Sequence, residues 1–520
     1  MFADCAEARR IDSDLAIFLE VKEIAVRKGD IYEGIIEKYD FPNKGSLILE
    51  DRKVTIKGAL IGQKVRFMIT KRKSGMAEGR LLEVLEKSPL EDSEPSCPYF
   101  GMCGGCTYQT LSVANQLKIK EDMVKNLLAP VVNESMKELP DWNGETIDDV
   151  WEGILASPNH LGYRNKMEFT FGDEFKGGPL ALGLHKKGGF YDILNVPKCE
   201  IIGSDWGKIL EFTLGFFKDK NIPFYHKLRH EGVLRNLVIR QSKATGEFLI
   251  NLVASTQWEK YVDCSAEEFA GKSIILEYVS GLLKLASGED FSSTIGGILY
   301  TENDSLGDVV QSDRTILLYG KDYIVEEVMG LKFIISPFSF FQTNTKGCEV
   351  LYSKAREYIM STGVMGDEDS TKNDGKIVFD LYSGTGTIAQ MMAPAAKKVI
   401  GIEIIEEAVV AARENAKLNG LDNCEFIAGD VLKAIDLVED KPDLIILDPP
   451  RDGINPKALE KILAFGVEEM VYISCKPSSL ARDLKVITDR GYKIKKLCAV
   501  DQFPMTTHCE SICLLSKKPQ

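Results

Sequence analysis

Between about residue 377 and residue 515, apolar β-rich runs alternate with amphipathic helical stretches, and this constrains the fold more than any other feature of the chain. Strands are expected at 377–381, 399–403, 424–428, 443–447 and 470–474, and helices at 407–418, 456–464 and 479–490. Runs at 494–500 and 511–515 close the segment. A strand that returns through a helix lies parallel to its predecessor, so the segment predicts a doubly wound, mostly parallel α/β sheet of the Rossmann-like kind. Ligands of such sheets bind beyond the C-terminal ends of the strands. The preceding stretch 363–375, with Asp367, Glu368 and Asp369, is expected to be a mobile loop leading in.

The strand ends carry the chemistry. The first runs into Asp380-Leu381-Tyr382-Ser383-Gly384-Thr385-Gly386-Thr387, a tight turn whose glycines let a ligand lie against the backbone. Alone, such a loop fits any nucleotide or none. The next strand ends about twenty residues on at Glu403, as an acid reaching ribose hydroxyls would require. The third ends at Gly429-Asp430, suited to an adenine amino group. The turn lacks the full G-x-G-x-x-G spacing of a dinucleotide site. A glycine turn and two acids on three successive strand ends resemble the S-adenosylmethionine site of class I methyltransferases. The fourth strand ends in Asp448-Pro449-Pro450-Arg451. Amino-methylating enzymes carry an aromatic residue where Arg451 stands, which weakens a nitrogen-methylating reading.

The fifth strand delivers Ser474-Cys475-Lys476-Pro477, where the sheet ends and a helix begins. Peptide dipoles at the helix N-terminus are expected to lower the pKa of Cys475 and favour the thiolate. The pattern also fits a small buried core cysteine. The tail Thr507-His508-Cys509-Glu510 adds a carboxylate of a type that is usually exposed. Together they suit carbon methylation. Carbon 5 of uracil becomes nucleophilic only after a thiolate adds at carbon 6, and a base must then remove the carbon 5 proton.

The net charge of −14 argues by itself against a nucleic-acid partner. Its distribution reverses that inference, because residues 52–88 hold ten basic side chains against three acidic ones. Short alternating runs at 30–39, 46–49, 53–56, 63–70 and 79–85 predict a small β-barrel there, OB-like, with Lys71-Arg72-Lys73-Ser74-Gly75 projecting from its rim. The segment resembles a TRAM domain. No apolar run reaches the ~18 residues of a membrane span, and residues 1–19 lack a secretory core. These features predict a cytoplasmic protein, in which the 12 cysteines are thiols, ligands or nucleophiles rather than disulfides.

Beyond a polar linker at 88–95, Cys97, Cys103 and Cys106 crowd into ten residues, with glycines that allow close backbone approach. Cys199 is the best candidate for a fourth ligand. Zinc and an iron-sulfur cluster both accept four thiolates, and spacing does not choose between them. A helix is expected at 113–128, and 131–152 is polar and structurally undetermined. Hairpin signals then predict an antiparallel α+β region to about residue 337, with Arg164, Lys166, Arg235 and Arg240 as candidate phosphate contacts or plain surface.

Cys97, Cys103, Cys106 and Cys199, Phe340-Phe341-Gln342-Thr343-Asn344, the Tyr382 turn, Asp448-Pro449-Pro450-Arg451, Cys475 and His508-Cys509-Glu510 follow one another along the chain. In that order they resemble the RNA uracil-5-methyltransferase family, in particular its ribosomal-RNA branch with a TRAM barrel and a four-iron cluster. The resemblance implies Cys475 as nucleophile and Glu510 as base. It further implies that Gln342, Tyr382, Thr387, Glu403, Asp430 and Asp448 bind S-adenosylmethionine, and that the four cysteines hold a 4Fe-4S centre with a structural or RNA-binding role. The implied activity is methylation of a uridine flipped from 23S ribosomal RNA. Transfer RNA is the alternative substrate, and a non-catalytic RNA-binding or assembly factor is the rival class. The expected organisation is a TRAM-like barrel at 24–88, a central α+β iron-sulfur domain at 89–336 and a class I methyltransferase domain at 337–520, in a monomer that binds RNA and no membrane.

Overall fold

The computed structural model describes residues 26–137, 143–189, 191–263, 269, 271–307, 312–364 and 375–517. The expectations for 1–19 and for most of the acidic loop at 363–375 fall outside these residues. The chain divides into two compact units, one comprising Met1–Tyr39 and Asn43–Pro89, the other Asp40–Pro42 and Leu90–Gln520.

The first unit is built on a six-stranded sheet with end strands Ile31–Ile35 and Lys38–Asp40. Alternation drives it: in Lys64–Lys73, Val65, Phe67 and Ile69 point into a core with Val54 and Ile56, while the residues between them stay partly exposed. Gly79 is needed there, since a Cβ would stand 2.9 Å from the Phe67 ring. The run expected at 30–39 is two strands. Lys71, Arg72 and Lys73 are exposed beside the Ser74-Gly75 turn, as expected, and Gly75 takes φ +71°.

In the second unit the last third forms the expected doubly wound sheet. Its strands are β1 (Ile377–Leu381), β2 (Lys398–Glu403), β3 (Cys424–Ala428), β4 (Leu444–Leu447), β5 (Glu469–Ser474), β6 (Tyr492–Val500) and β7 (Glu510–Lys517). They lie in the order β3-β2-β1-β4-β5-β7-β6, and Trp151–Leu155 adds an eighth strand beside β6. The first five are parallel, and β7 inserts antiparallel between β5 and β6. Layers on both faces explain the composition of β4, whose Leu444, Ile445, Ile446 and Leu447 are all buried.

Two expectations are corrected here. The helix expected at 113–128 runs from Val113 to Lys137 with Pro130 inside it, and the stretch taken as polar and undetermined also supplies the edge strand Trp151–Leu155. The helix buries Val124, Leu128, Val132 and Met136 in the core beneath this sheet, and that burial outweighs its proline. The central region is not purely antiparallel. In its seven-stranded sheet Glu247–Ala254 and Thr294–Glu302 are parallel, joined through the helix Lys272–Ala286, because a parallel return needs such a crossover. No helix among the described residues is long and apolar enough to cross a membrane.

Candidate active site

The C-terminal ends of β1 to β5 and the first residue of β7 open on one cleft of about 1930 Å³. Gln342, Tyr382, Thr387, Glu403, Asp430, Asp448, Cys475 and Glu510 all line it. These eight residues were named from the sequence, and the fold brings them together.

At the turn after β1 the backbone folds back on β2. Tyr382 adopts φ +68°, a left-handed conformation costly for a bulky residue and common where strain serves a site. Its N–H donates to Ile402 O at 2.9 Å. Glu403 accepts the Gly384 N–H on one oxygen and the Ile405 N–H on the other, both at 3.0 Å, so the carboxylate is aimed before any ligand arrives. Gly386 has no room for a side chain, since a Cβ would meet the Phe426 ring at 2.6 Å. Thr387 begins the short helix Thr387–Met392, and Asp430 caps the Leu432 N–H at 2.9 Å. Gln342 is held from the central region, where Asn165 Nδ2 donates to its carbonyl at 2.9 Å and the Asn165 N–H donates to Thr343 O at 2.9 Å.

Cys475 and Glu510 meet through the sheet ladder. Ser474 of β5 pairs with Ser511 of β7, so the next step sets Cys475 opposite Glu510. The buried Glu510 is thus no ordinary surface carboxylate.

The expected acidification of Cys475 is overturned: its thiol is pushed up to about 12, by burial first and then by the charges of Glu510 and Asp448, with Arg451 opposing. A helix N-terminus contributes roughly 0.3–2 kcal/mol, whereas burial and two nearby carboxylates all act in the opposite direction. Burial and the two acids therefore win. Burial also lifts Glu510 to about 7 against the pull of Arg451. Desolvation and the charges of Glu510 and Glu403 hold Asp448 well above the usual carboxylate range. Beneath them Asp380 is pushed up to about 8 by burial and by Asp448, although one oxygen accepts the Ala389 N–H at 2.9 Å. Its other oxygen and the Ser383 hydroxyl are buried with no hydrogen-bond partner. So many acids around one cleft favour a cation.

Arg451, read from the sequence as part of the Asp448-Pro449-Pro450-Arg451 run and as the replacement of an aromatic residue, lines the cleft, and its charge favours the ionised forms of both Cys475 and Glu510. At the rim, the Phe503 and His508 rings stand edge to face at 6.5 Å, and the Arg164 guanidinium lies 5.9 Å from the Phe503 ring. The other candidate phosphate contacts are engaged elsewhere. Arg235 donates to Asn303, Ser305 and Gly307 carbonyls, Arg240 to those of Pro337 and Ser339, and Lys166 pairs with Glu168 at 2.7 Å. Both arginines are buried, and each fixes a loop by its carbonyls.

Cys97, Cys103, Cys106 and Cys199 are free, half-buried thiols. Their loops interlock: Tyr99 Oη accepts the Lys198 N–H at 3.2 Å, and Gln109 Oε1 accepts the Cys97 N–H at 3.3 Å. Cys199 is pushed up to about 12, chiefly by burial and further by the charges of the other three, which places the four sulfurs in one neighbourhood. Among the described residues, no group of three or more His, Cys, Asp or Glu side chains is arranged to hold a metal ion. The four thiols have the number and softness that a four-thiolate centre takes.

A family model described as tRNA (Uracil-5-)-methyltransferase matches residues 312–518. An uncharacterized RNA methyltransferase of Caldanaerobacter subterraneus subsp. tengcongensis is 47% identical over 490 residues, which cover 94% of this chain and 99% of that protein. Another, of Chlorobaculum tepidum, is 34% identical over 95% of this chain and 98% of its own length. Among solved structures, the Pyrococcus abyssi tRNA (uracil-54, C5)-methyltransferase in complex with S-adenosyl-L-homocysteine shares the fold. Its TM-score is 0.67 at 24% identity, over 93% of this chain and 99% of that one.

Proposed function

The chain belongs to the RNA uracil-5-methyltransferase family, and from that premise we propose that it methylates carbon 5 of a uridine in 23S ribosomal RNA with S-adenosylmethionine, through a covalent bond from Cys475 to the base. The observation that carries the proposal is the facing of Cys475 and Glu510 across the β5–β7 ladder, in a cleft whose other strand ends present Glu403 and Asp430.

The residues fit a cationic methyl donor. Burial and the charges of Glu510 and Glu403 oppose ionisation of Asp448, as burial and the charges of Asp448 and Glu403 oppose that of Asp380, and a positive charge in the cleft relieves that repulsion. The unpartnered hydroxyl of Ser383, which lines the cleft, leaves a polar atom for a ligand. When bound, S-adenosylmethionine supplies an electrophilic methyl group on a sulfonium sulfur. Cys475 adds its sulfur to carbon 6 of the flipped uracil, and the displaced electron pair makes carbon 5 nucleophilic enough to take the methyl. The Glu510 carboxylate then removes the carbon 5 proton, the 5,6 double bond re-forms, and the carbon–sulfur bond breaks to return the thiolate. With its pKa lifted to about 7, Glu510 is matched to proton transfer near neutral pH.

In this reading residues 24–88 are a TRAM-like RNA-binding module, 89–336 hold the cluster and 337–520 perform the chemistry, in a cytoplasmic monomer. Cys97, Cys103, Cys106 and Cys199 would hold a 4Fe-4S centre whose role is structural or in RNA binding. Protein purified without oxygen should contain iron and sulfide at about four each per chain, and zinc alone would overturn this assignment.

The substrate is tested by supplying methyl-labelled S-adenosylmethionine with 23S ribosomal RNA, or with transfer RNA, each lacking 5-methyluridine. Label mapping to a 23S uridine is expected. The basic segment 52–88 and the four cysteines favour that substrate, whereas the names of the matching family and of the Pyrococcus abyssi enzyme favour transfer RNA. Label in transfer RNA alone would reverse the choice and leave the chemistry standing.

A further inference from the structure

The loop 501–509 joins β6 to β7 and delivers Glu510 to the cleft, and its own Phe503, Thr506 and His508 line the same cleft. Loops that carry catalytic groups are ordinarily free on one side. This one is held from beneath. Met505 adopts φ +64°, which a side chain keeps only where its surroundings enforce it. The enforcement comes mainly from residues 107–120, with Tyr163 added. Thr107 and Tyr108 N–H groups both donate to Met505 O, at 2.7 and 3.1 Å. Gln116 Oε1 accepts the Met505 N–H at 2.9 Å, and the Tyr163 hydroxyl donates to Pro504 O at 3.1 Å. At the centre is Lys120, whose wholly buried ammonium lies 2.5 Å from the buried Asp501 carboxylate and donates to Phe503 O at 3.0 Å.

A buried ion pair contributes little stability that a well-packed apolar pair would not, so its value here lies in fixing one geometry. What it fixes is the approach of β7 to the cleft. We propose that Lys120 and Gln116 are positioning residues for Glu510: the tether they form sets where the base stands when it removes the carbon 5 proton. The inference rests on reading Glu510 as that base. Cys475 is delivered by β5 and the helix Pro477–Asp489. The helix Val113–Lys137 packs against that helix, but the hydrogen bonds of Gln116 and Lys120 go to Leu111 and to the loop 501–509, so cutting the tether separates the two halves of the reaction. Attack and methyl transfer continue; proton removal slows.

The test is rapid-quench analysis of the full-length protein with S-adenosylmethionine and substrate RNA, following the methylated protein–RNA adduct on denaturing gels. Lys120→Met should form adduct at close to the wild-type rate and lose it more slowly, by about tenfold to 10²-fold, the range set by a base misplaced by up to about 1 Å. In a Glu510→Gln background the same substitution should lengthen adduct lifetime no further, because no base is left to position. A proportional loss of both steps, or equal slowing in the two backgrounds, would overturn the tether. Should Lys120→Met not fold, Gln116→Ala removes the acceptor of the Met505 N–H together with the bonds its Nε2 donates to Leu111 O and Met505 Sδ, and is read by the same two criteria. Absence of adduct in Glu510→Gln itself would overturn the base assignment and the tether with it, an outcome distinct from failure of the tether alone.

Discussion

Cys475→Ala is expected to form no covalent complex with RNA and to lose methyl transfer by on the order of 10⁶-fold, the low end of what enzymes contribute. The size follows from the chemistry. In the proposed mechanism Cys475 is the nucleophile that raises the electron density of carbon 5, so removing the thiol removes the route rather than one of several aids to it. The rest of the site should persist. Glu403 is held by two backbone N–H groups and Asp430 by its own capping bond, none of which involves Cys475. Binding of S-adenosylmethionine, measured by calorimetry, should therefore stay near that of the wild type. The unfolding midpoint should also move little, by less than the ~1 kcal/mol of a typical point change. Methylation persisting in this variant would sink the role given to Cys475.

The same residue shows where sequence reading stops. A thiol at a strand tip before a helix N-terminus reads as acidic when only its neighbours in the chain are counted. The direction is reversed first by burial and then by the charges of Glu510 on β7 and Asp448 just past β4, none of which is visible among its neighbours in the chain. Each charge neutralised beside the thiol brings it down again, and Arg451 already does so. The five parallel strands were legible as elements because they are apolar runs separated by helices of regular period, whereas their order β3-β2-β1-β4-β5 was not. The insertion of β7 between β5 and β6, which creates the Cys475–Glu510 pair, leaves no such trace, since strand order within a sheet is not written in hydrophobic period. Trp151–Leu155 was missed for a related reason. It is short, half-buried and bent at Gly153, with φ +94°, and it becomes a strand by pairing with β6 rather than by its own pattern. Arg235 and Arg240 read as surface cations because the loops whose carbonyls they bind lie about 70 and 100 residues further on.

Glu510→Gln should do the opposite of Cys475→Ala and accumulate the intermediate. The amide keeps the size and burial of the side chain but accepts no proton, so the base can be methylated and the cysteine cannot leave. Release should slow by about 10²- to 10⁴-fold, the usual worth of a general base, and a methylated protein–RNA species should survive denaturation. It should vanish in the Cys475→Ala/Glu510→Gln double variant. An intact methyl-transfer rate with no adduct would remove Glu510 from the mechanism. A second reading comes from pH. The carboxyl of Glu510 is lifted to about 7 in the folded protein, so below that pH it is protonated and unable to take the carbon 5 proton. Adduct release by the wild type should therefore fall as pH drops through about 7 and level off above it, whereas release by the glutamine variant should show no inflection there. Formation of the adduct obeys the other sign of the same coupling. Protonating Glu510 removes one of the two negative charges that oppose the Cys475 thiolate, so attack suffers less from mild acid than release does. On this electrostatic ground alone the wild-type adduct should become more abundant just below pH 7, and a wild-type adduct level that falls there would separate the two groups that the β5–β7 ladder places face to face.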